Sequence, residues 1–178
     1  LHPQAQRDAD VPDRGYHYDP LDYVFSGLLL TNATITAMPG VAIGVRTFAA
    51  TGLGLLGGSA FYSEGTPDNL NRFVRYNTAQ EQSNTNWTEF ASGGYAIATA
   101  WSPAPTAPVL QLRFTEFSVP ASSWGSHYHL YGFSDDTGSH LIRDCQFHGG
   151  DVYSSSPTLN VTNSLFNRTH LTLEEAVD

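Results

Sequence analysis

The stretch 140-HLIRDCQF-147 shares its skeleton with 28-LLLTNATI-35, 110-LQLRFTEF-117 and 159-LNVTNSLF-166. In each, a large residue stands first, Leu, Ile or Val third, a small residue sixth (Ala33, Thr115, Cys145, Ser164) and Ile or Phe eighth. Positions one and three alternate with position two, as in a strand with one buried face, and the small sixth residue suits a tight corner. A further copy, 54-GLLGGSAF-61, fits with Leu56 third, Ser59 sixth and Phe61 eighth. The frames start at 28, 54, 110, 140 and 159, so they recur after 26, 56, 30 and 19 residues. The longest interval is about two periods, with room for a degraded copy around 73-FVRYNTAQEQ-82.

Short strands repeating at this interval predict a β-solenoid, in which each coil stacks on its neighbour. A leucine-rich repeat has a similar period, but no copy carries its L-x-x-L-x-L asparagine signature. A second strand follows the frame, as in 41-VAIGV-45 and 171-LTL-173, and Pro39-Gly40, Pro120 and Gly149-Gly150 fall where the chain must turn. The predicted fold is all-β: a right-handed parallel β-helix with an irregular insertion. Phe117, Phe147 and Phe166 should then stack inside it, one coil above the next. The stretch 66-TPDNLNRFVRYN-77 reads as either a helix, with an N-cap Thr and Pro behind it, or a strand through Phe73, Val74 and Tyr76. Residues 83–108, rich in Ser, Asn, Thr, Gly, Ala and Pro, read as an inserted loop or weak hairpin carrying Trp87 and Trp101. The terminal 172-TLEEAVD-178 fits one helical turn or the start of a further coil.

Composition supports many turns between short strands: 40% of the 178 residues are hydrophobic and only 14% charged, with 16 Gly and 10 Pro. Such a length can bury a sizeable core. All eight basic residues are Arg, against seventeen acidic ones. A net charge near −9 repels phosphate backbones and argues against a nucleic-acid partner. The absence of Lys removes a Walker lysine, a Schiff base and a lysine general base. No stretch approaches the ~20 apolar residues of a membrane span. With Leu1 first and no signal peptide, the chain reads as a piece of a longer or processed protein. Cys145, the single cysteine, fills the small-residue slot of its frame and is expected to be a buried structural thiol.

The stretch 13-DRGYHYDPLDY-23 resembles the D-x-G-Y-H-Y motif that closes β-helix modules in large, secreted, multi-module bacterial surface proteins. The stretches 64-EGTPDNLNRFVRYNTAQEQ-82 and 112-LRFTEFSV-119 are also similar to segments of that group. The resemblance implies an extracellular β-helix module over residues 23–178, with residues 1–22 the tail of a preceding module or an N-terminal linker. It implies no catalytic motif, and a fold alone supplies no reaction.

Five groups of residues bear on chemistry. Asp135-Asp136 with His148 form the candidate pair for glycoside hydrolysis, which needs two carboxyls flanking the scissile bond. The polygalacturonase pattern stops there, because no N-T-D precedes the pair and no R-I-K can exist without Lys. The run 134-SDDTGS-139 is equally good turn chemistry. Arg143 beside Asp144 is the one hint of lyase chemistry, and an outward-facing ion pair explains it as well. His127 and His129 share one strand face and could begin a zinc site, but exposed or half-buried histidines without a third ligand are the expectation. Asp8, Asp10 and Asp13 carry the spacing of a calcium loop without its Gly and closing Glu, so calcium is the one metal expected there, against a plain acidic linker. The sequons at Asn32, Asn86, Asn160 and Asn167 read as coil-corner asparagines.

The functional expectation is a non-catalytic structural or adhesive module that assembles head to tail with copies of itself or neighbouring modules. Its rivals are a polysaccharide-active enzyme and a carbohydrate-binding module that uses Trp87, Trp101, Trp124 and the tyrosines.

Overall fold

A computed structural model describes residues 21–46, 51–76, 94–99, 106–118, 127–133, 138–155 and 158–174. Short strands rather than helices form because polar and apolar residues alternate between closely spaced turns, and no helix long and apolar enough to cross a membrane occurs among these residues. The strands lie in three sheets. Sheet A holds β1 (Tyr23–Phe25), β4 (Ala42–Val45), β7 (Asn71–Arg75), β10 (Thr115–Ser118), β13 (Gln146–His148) and β16 (Leu165–Asn167). Sheet B holds β2 (Leu28–Leu30), β5 (Thr51–Leu55), β8 (Gly94–Thr99), β11 (His127–Gly132), β14 (Asp151–Ser154) and β17 (His170–Leu173). Sheet C holds β3 (Thr34–Ala37), β6 (Ala60–Glu64), β9 (Val109–Arg113), β12 (Ser139–Arg143) and β15 (Thr158–Thr162).

The chain visits A, B and C in the same order each time, and each strand pairs in parallel with the one three places later. This is the stacking expected of a β-solenoid. A rung below means one such pass through the sheets. The inward register of sheet A runs Ile43, Phe73, Phe117, Phe147, Phe166, so successive rungs consume 30, 44, 30 and 19 residues. The predicted phenylalanine stack is present, with Phe73 as a further member. Neighbouring centroids are 4.5, 5.0 and 4.9 Å apart and the planes within 10°. Each fully buried ring contributes about 1.5–3 kcal/mol of burial, and the stack joins Leu53, Leu55, Ile97, Leu110, Leu112 and Ile142 in one core.

The five repeat frames occupy two different corners. Those starting at 110, 140 and 159 turn from sheet C to sheet A, whereas those at 28 and 54 turn from sheet B to sheet C. What they share is the fifth residue: Asn32, Gly58, Phe114, Asp144 and Asn163 all have φ between 45° and 72°. A left-handed residue reverses the chain between two strands, and Asn, Asp and Gly adopt it most cheaply. The same backbone demand therefore wrote the same pattern twice. The frames at 28 and 54 also slip by one, since Leu30 pairs with Leu55 while Ile35 pairs with Phe61.

Two other expectations resolve. Residues 71–75 form a strand, with Phe73 and Arg75 inward and Arg72 and Val74 outward. Within 83–108, read as loop or weak hairpin, Gly94–Thr99 is a regular strand hydrogen-bonded on both sides, to β5 and β11.

Candidate functional site

At the C-to-A corner, Asn71, Thr115, Cys145 and Ser164 succeed one another from rung to rung. The Thr115 hydroxyl, Cys145 thiol and Ser164 hydroxyl each donate to the carbonyl two residues earlier, at 3.1, 3.2 and 3.0 Å. Asn71 is fully committed: its Nδ2 donates to the Ala37 carbonyl and the Ser63 hydroxyl, and its Oδ1 accepts from the Val41 N–H. Cys145 is buried as expected, and burial pushes its thiol up to about 11. A thiol held protonated at neutral pH is a poor nucleophile. This corner is structural.

The outer face of sheet A holds His148, the histidine singled out beside Asp135-Asp136. Its Nε2–H points at Gln146 Oε1 (3.4 Å), its Nδ1 accepts from Asn167 Nδ2 (3.4 Å), and Glu116 lies 4.0 Å away. Glu116 is shared with Arg72 at 3.6 Å and accepts from the Ser118 hydroxyl at 2.8 Å. Hydrolysis of a glycosidic bond needs a second carboxyl about 5–10 Å from the first. The neighbouring Asp144 is occupied by Arg143 at 3.1 Å and by Asn163 Nδ2 at 2.6 Å, which makes Arg143–Asp144 the outward ion pair expected. Asp135 and Asp136 lie outside the described residues, as do Asp8, Asp10, Asp13, Asn86, Trp87, Trp101 and Trp124. Of the sequons read as coil corners, Asn32 does turn the B-to-C corner, whereas Asn160 stands in the middle of strand β15, exposed and accepting from the Thr162 hydroxyl at 3.1 Å, which corrects that expectation.

His127 and His129 share the inner face of β11, but both are fully buried, which corrects the expectation of exposed or half-buried rings. The cause is an irregularity between Tyr128 and Leu130, where the register with β14 shifts and turns His129 and Leu130 both inward. The two imidazoles meet edge to face at 5.4 Å, and His129 also touches Phe117 and Phe147. His129 Nε2 donates to the Gly149 carbonyl at 2.7 Å. That approach requires Gly150, at φ 61°, since a Cβ there would lie 2.9 Å from Nε2. Burial holds His129 down to about 4, and burial, with His129 and Arg75 adding to it, holds His127 well below its ordinary value. Both are neutral core residues near pH 7. No group of three His, Cys, Asp or Glu able to hold a metal forms among the described residues.

The outer face of sheet B carries a feature that local reading missed. Tyr95, Tyr128, Tyr131, Phe133 and Tyr153, from β8, β11 and β14 and the end of β11, make one cluster. Tyr131 is its hub, 4.4 Å from Tyr95, 5.0 Å from Tyr128, 4.7 Å from Phe133 and stacked on Tyr153 at 4.7 Å. The Tyr153 hydroxyl donates to Glu174 at 2.6 Å, and this bond raises Tyr153 to about 12. Asp151, in register with Tyr128, contacts His170 at 3.1 Å. The signal available in sequence was only the aromatic density of 127-HYHLYGF-133: plain alternation would put Tyr128 and Tyr131 on opposite faces, and the irregularity at His129 and Leu130 is what brings both outward. It becomes a surface only once register is known. No protein family, curated protein or solved structure matches the chain.

Proposed function

We propose that the chain is a right-handed parallel β-helix module of an extracellular protein, non-catalytic, with a structural or adhesive role fulfilled by head-to-tail stacking. Crossovers between parallel strands of one sheet are right-handed in about 98% of cases, which supports the hand. The D-x-G-Y-H-Y resemblance supports the extracellular setting.

One observation carries the stacking. Positions that are core in the middle of the molecule are exposed in its last described rung: Val161, Leu171 and Leu173 are 39, 42 and 56% exposed, while their sheet neighbours Ile142, Val152 and Ser154 are 1, 2 and 5% exposed. The first rung behaves alike, with Tyr23 and Leu28 exposed above buried Ile43 and Leu53. Each of the three sheets also ends in a strand paired on one side only among the described residues. Unsatisfied edges and apolar cross-sections are what a further rung would cover. A copy added end to end would set β1, β2 and β3 beside β16, β17 and β15. Calcium at Asp8, Asp10 and Asp13 is the accessory metal of this reading.

Light scattering over rising concentration tests the reading. Mass should grow with concentration, and Leu171→Asp/Leu173→Asp should remove the end-to-end part of that growth. A strict monomer overturns stacking, and new reducing ends from a polysaccharide panel would replace it with the enzyme reading. Calcium at Asp8, Asp10 and Asp13 predicts a rise in melting temperature with calcium that Asp8→Asn/Asp10→Asn removes.

A further inference from the structure

We propose that the rung carrying His129 is an acid-operated latch: protonation of His129 at Nδ1 releases the Gly149–Gly150 turn, and with it β14 and β17, while the rungs before β11 stay folded. Three observations carry it.

The first is the geometry of the imidazole. Its Nε2–H is spent on the Gly149 carbonyl, so a further proton must go to Nδ1, which is buried without a hydrogen-bond partner in a ring packed against Phe117 and Phe147. Protonation there creates both a charge and a donor with nothing to accept it, and an apolar interior penalises each. The second is the neighbourhood. His127 meets His129 on β11 itself, Arg75 bears on His127 from β7, and His148 bears on His129 from β13. The inward core residues of β8, β10, β13 and β14, among them Ala96, Phe117, Phe147 and Val152, are uncharged. The carboxylates of these rungs are engaged elsewhere, Glu116 with Arg72 and His148 on the outer face and Asp151 with His170. Each described group that bears on a protonated His129 is therefore neutral or of its own sign.

The third is the unequal strength of the two sides. Towards the start of the chain, β11 pairs with β8, and β8 with β5, whose Leu53 and Leu55 are fully buried. Towards the end, the register with β14 shifts between Tyr128 and Leu130, two left-handed glycines lead into β14, and β17 leaves Leu171 and Leu173 exposed. Solenoid stability is a sum over neighbours, so the weaker side opens first.

Burial holds His129 down to about 4 in the closed rung, against 6.5 once the ring is released. Opening thus takes up a proton below pH 6.5, and the open population should rise about twentyfold between pH 7 and pH 5. Release of β17 would also withdraw Leu171 and Leu173 from the end of the molecule, so acid should disassemble the stack. That consequence rests on the stacking reading, whereas the latch does not.

Peptide-resolved hydrogen exchange tests it, on the full chain at a concentration where light scattering reports monomers and with intrinsic rates corrected for pH. Between pH 7 and pH 5, protection of β14 and β17 should fall about twentyfold, while that of β5 and β6 holds. The fall should vanish in His129→Gln, which keeps a donor for the Gly149 carbonyl but does not titrate, and persist in His148→Gln and His170→Gln. In the unsubstituted chain it should level off where the His129 imidazole resonance itself titrates, a check that needs no variant to fold. Protection lost evenly from all three sheets would mean global unfolding and overturn the proposal. So would protection unchanged between pH 7 and pH 5, a fall that survives His129→Gln, or a plateau away from the His129 titration. Light scattering through the same pH range reads the fate of the stack separately, so a failure of stacking and a failure of the latch are told apart.

Discussion

Phe117 and His129 lie in the same rung, on strands β10 and β11, with ring centroids 5.6 Å apart. Both are completely buried, yet they are stable there for different reasons. Phe117 sits between near-parallel rings above and below and needs nothing else. His129 needs a carbonyl acceptor, a glycine to let it approach and the loss of its charge. A repeating apolar ladder is robust to its surroundings, whereas a polar residue set into it makes one rung conditional on pH and on a neighbouring turn.

The sharpest break in that comparison is Phe117→Ala. Removing a ring from the middle of the stack should cost about 3–5 kcal/mol, while Phe166→Ala, in the half-covered last rung, should cost less than half as much by urea denaturation. Next comes acid. Because the folded-state value of His129, about 4, lies below its ordinary 6.5, the unfolded chain binds more protons between those limits. The stabilisation is fully present above pH 6.5 and is lost as pH falls towards 4, amounting to about 3 kcal/mol at 1.36 per unit. Urea midpoints measured across this range should fall with pH, and His129→Phe should flatten the slope. A neutral-to-alkaline titration should leave this term unchanged.

Gly150→Ala comes third. The left-handed backbone costs about 1–2 kcal/mol with a side chain, and the added Cβ also displaces His129 from Gly149. The variant should therefore show a shifted His129 imidazole resonance as well as a lower melting temperature. The smallest effect belongs to Arg143→Gln, which breaks an exposed ion pair and should change the stability of the monomer by less than about 1 kcal/mol.

Much of this architecture was legible locally. The eight-residue frame predicted strand, corner and strand because the corner needs a small residue after a left-handed one, and that demand is met within a few residues. The Phe117, Phe147 and Phe166 stack followed from the same frame. What escaped was whatever depends on neighbours in the stack. The frame could not tell the B-to-C corner from the C-to-A corner, since their backbones pose one requirement. Strand β8 was hidden because 94-GYAIAT-99 packs small residues between partners supplied by β5 and β11. The burial of His127 and His129 turns on an irregular register with β14, twenty-odd residues away. The tyrosine cluster spans residues 95 to 153, and no single stretch contains it.

The unequal rungs also have a use for engineering. The rung from Phe73 to Phe117 takes 44 residues and the one from Phe147 to Phe166 only 19, yet both return to the same inward register. Chain length between sheets is thus free to vary where the sequence is long, after Arg75, and is pinned where two glycines alone join β13 to β14. A guest peptide spliced between Arg75 and Gly94 should ride on the scaffold without shifting the phenylalanine column. The same peptide placed between Gly149 and Gly150 would pull apart the turn on which His129 rests.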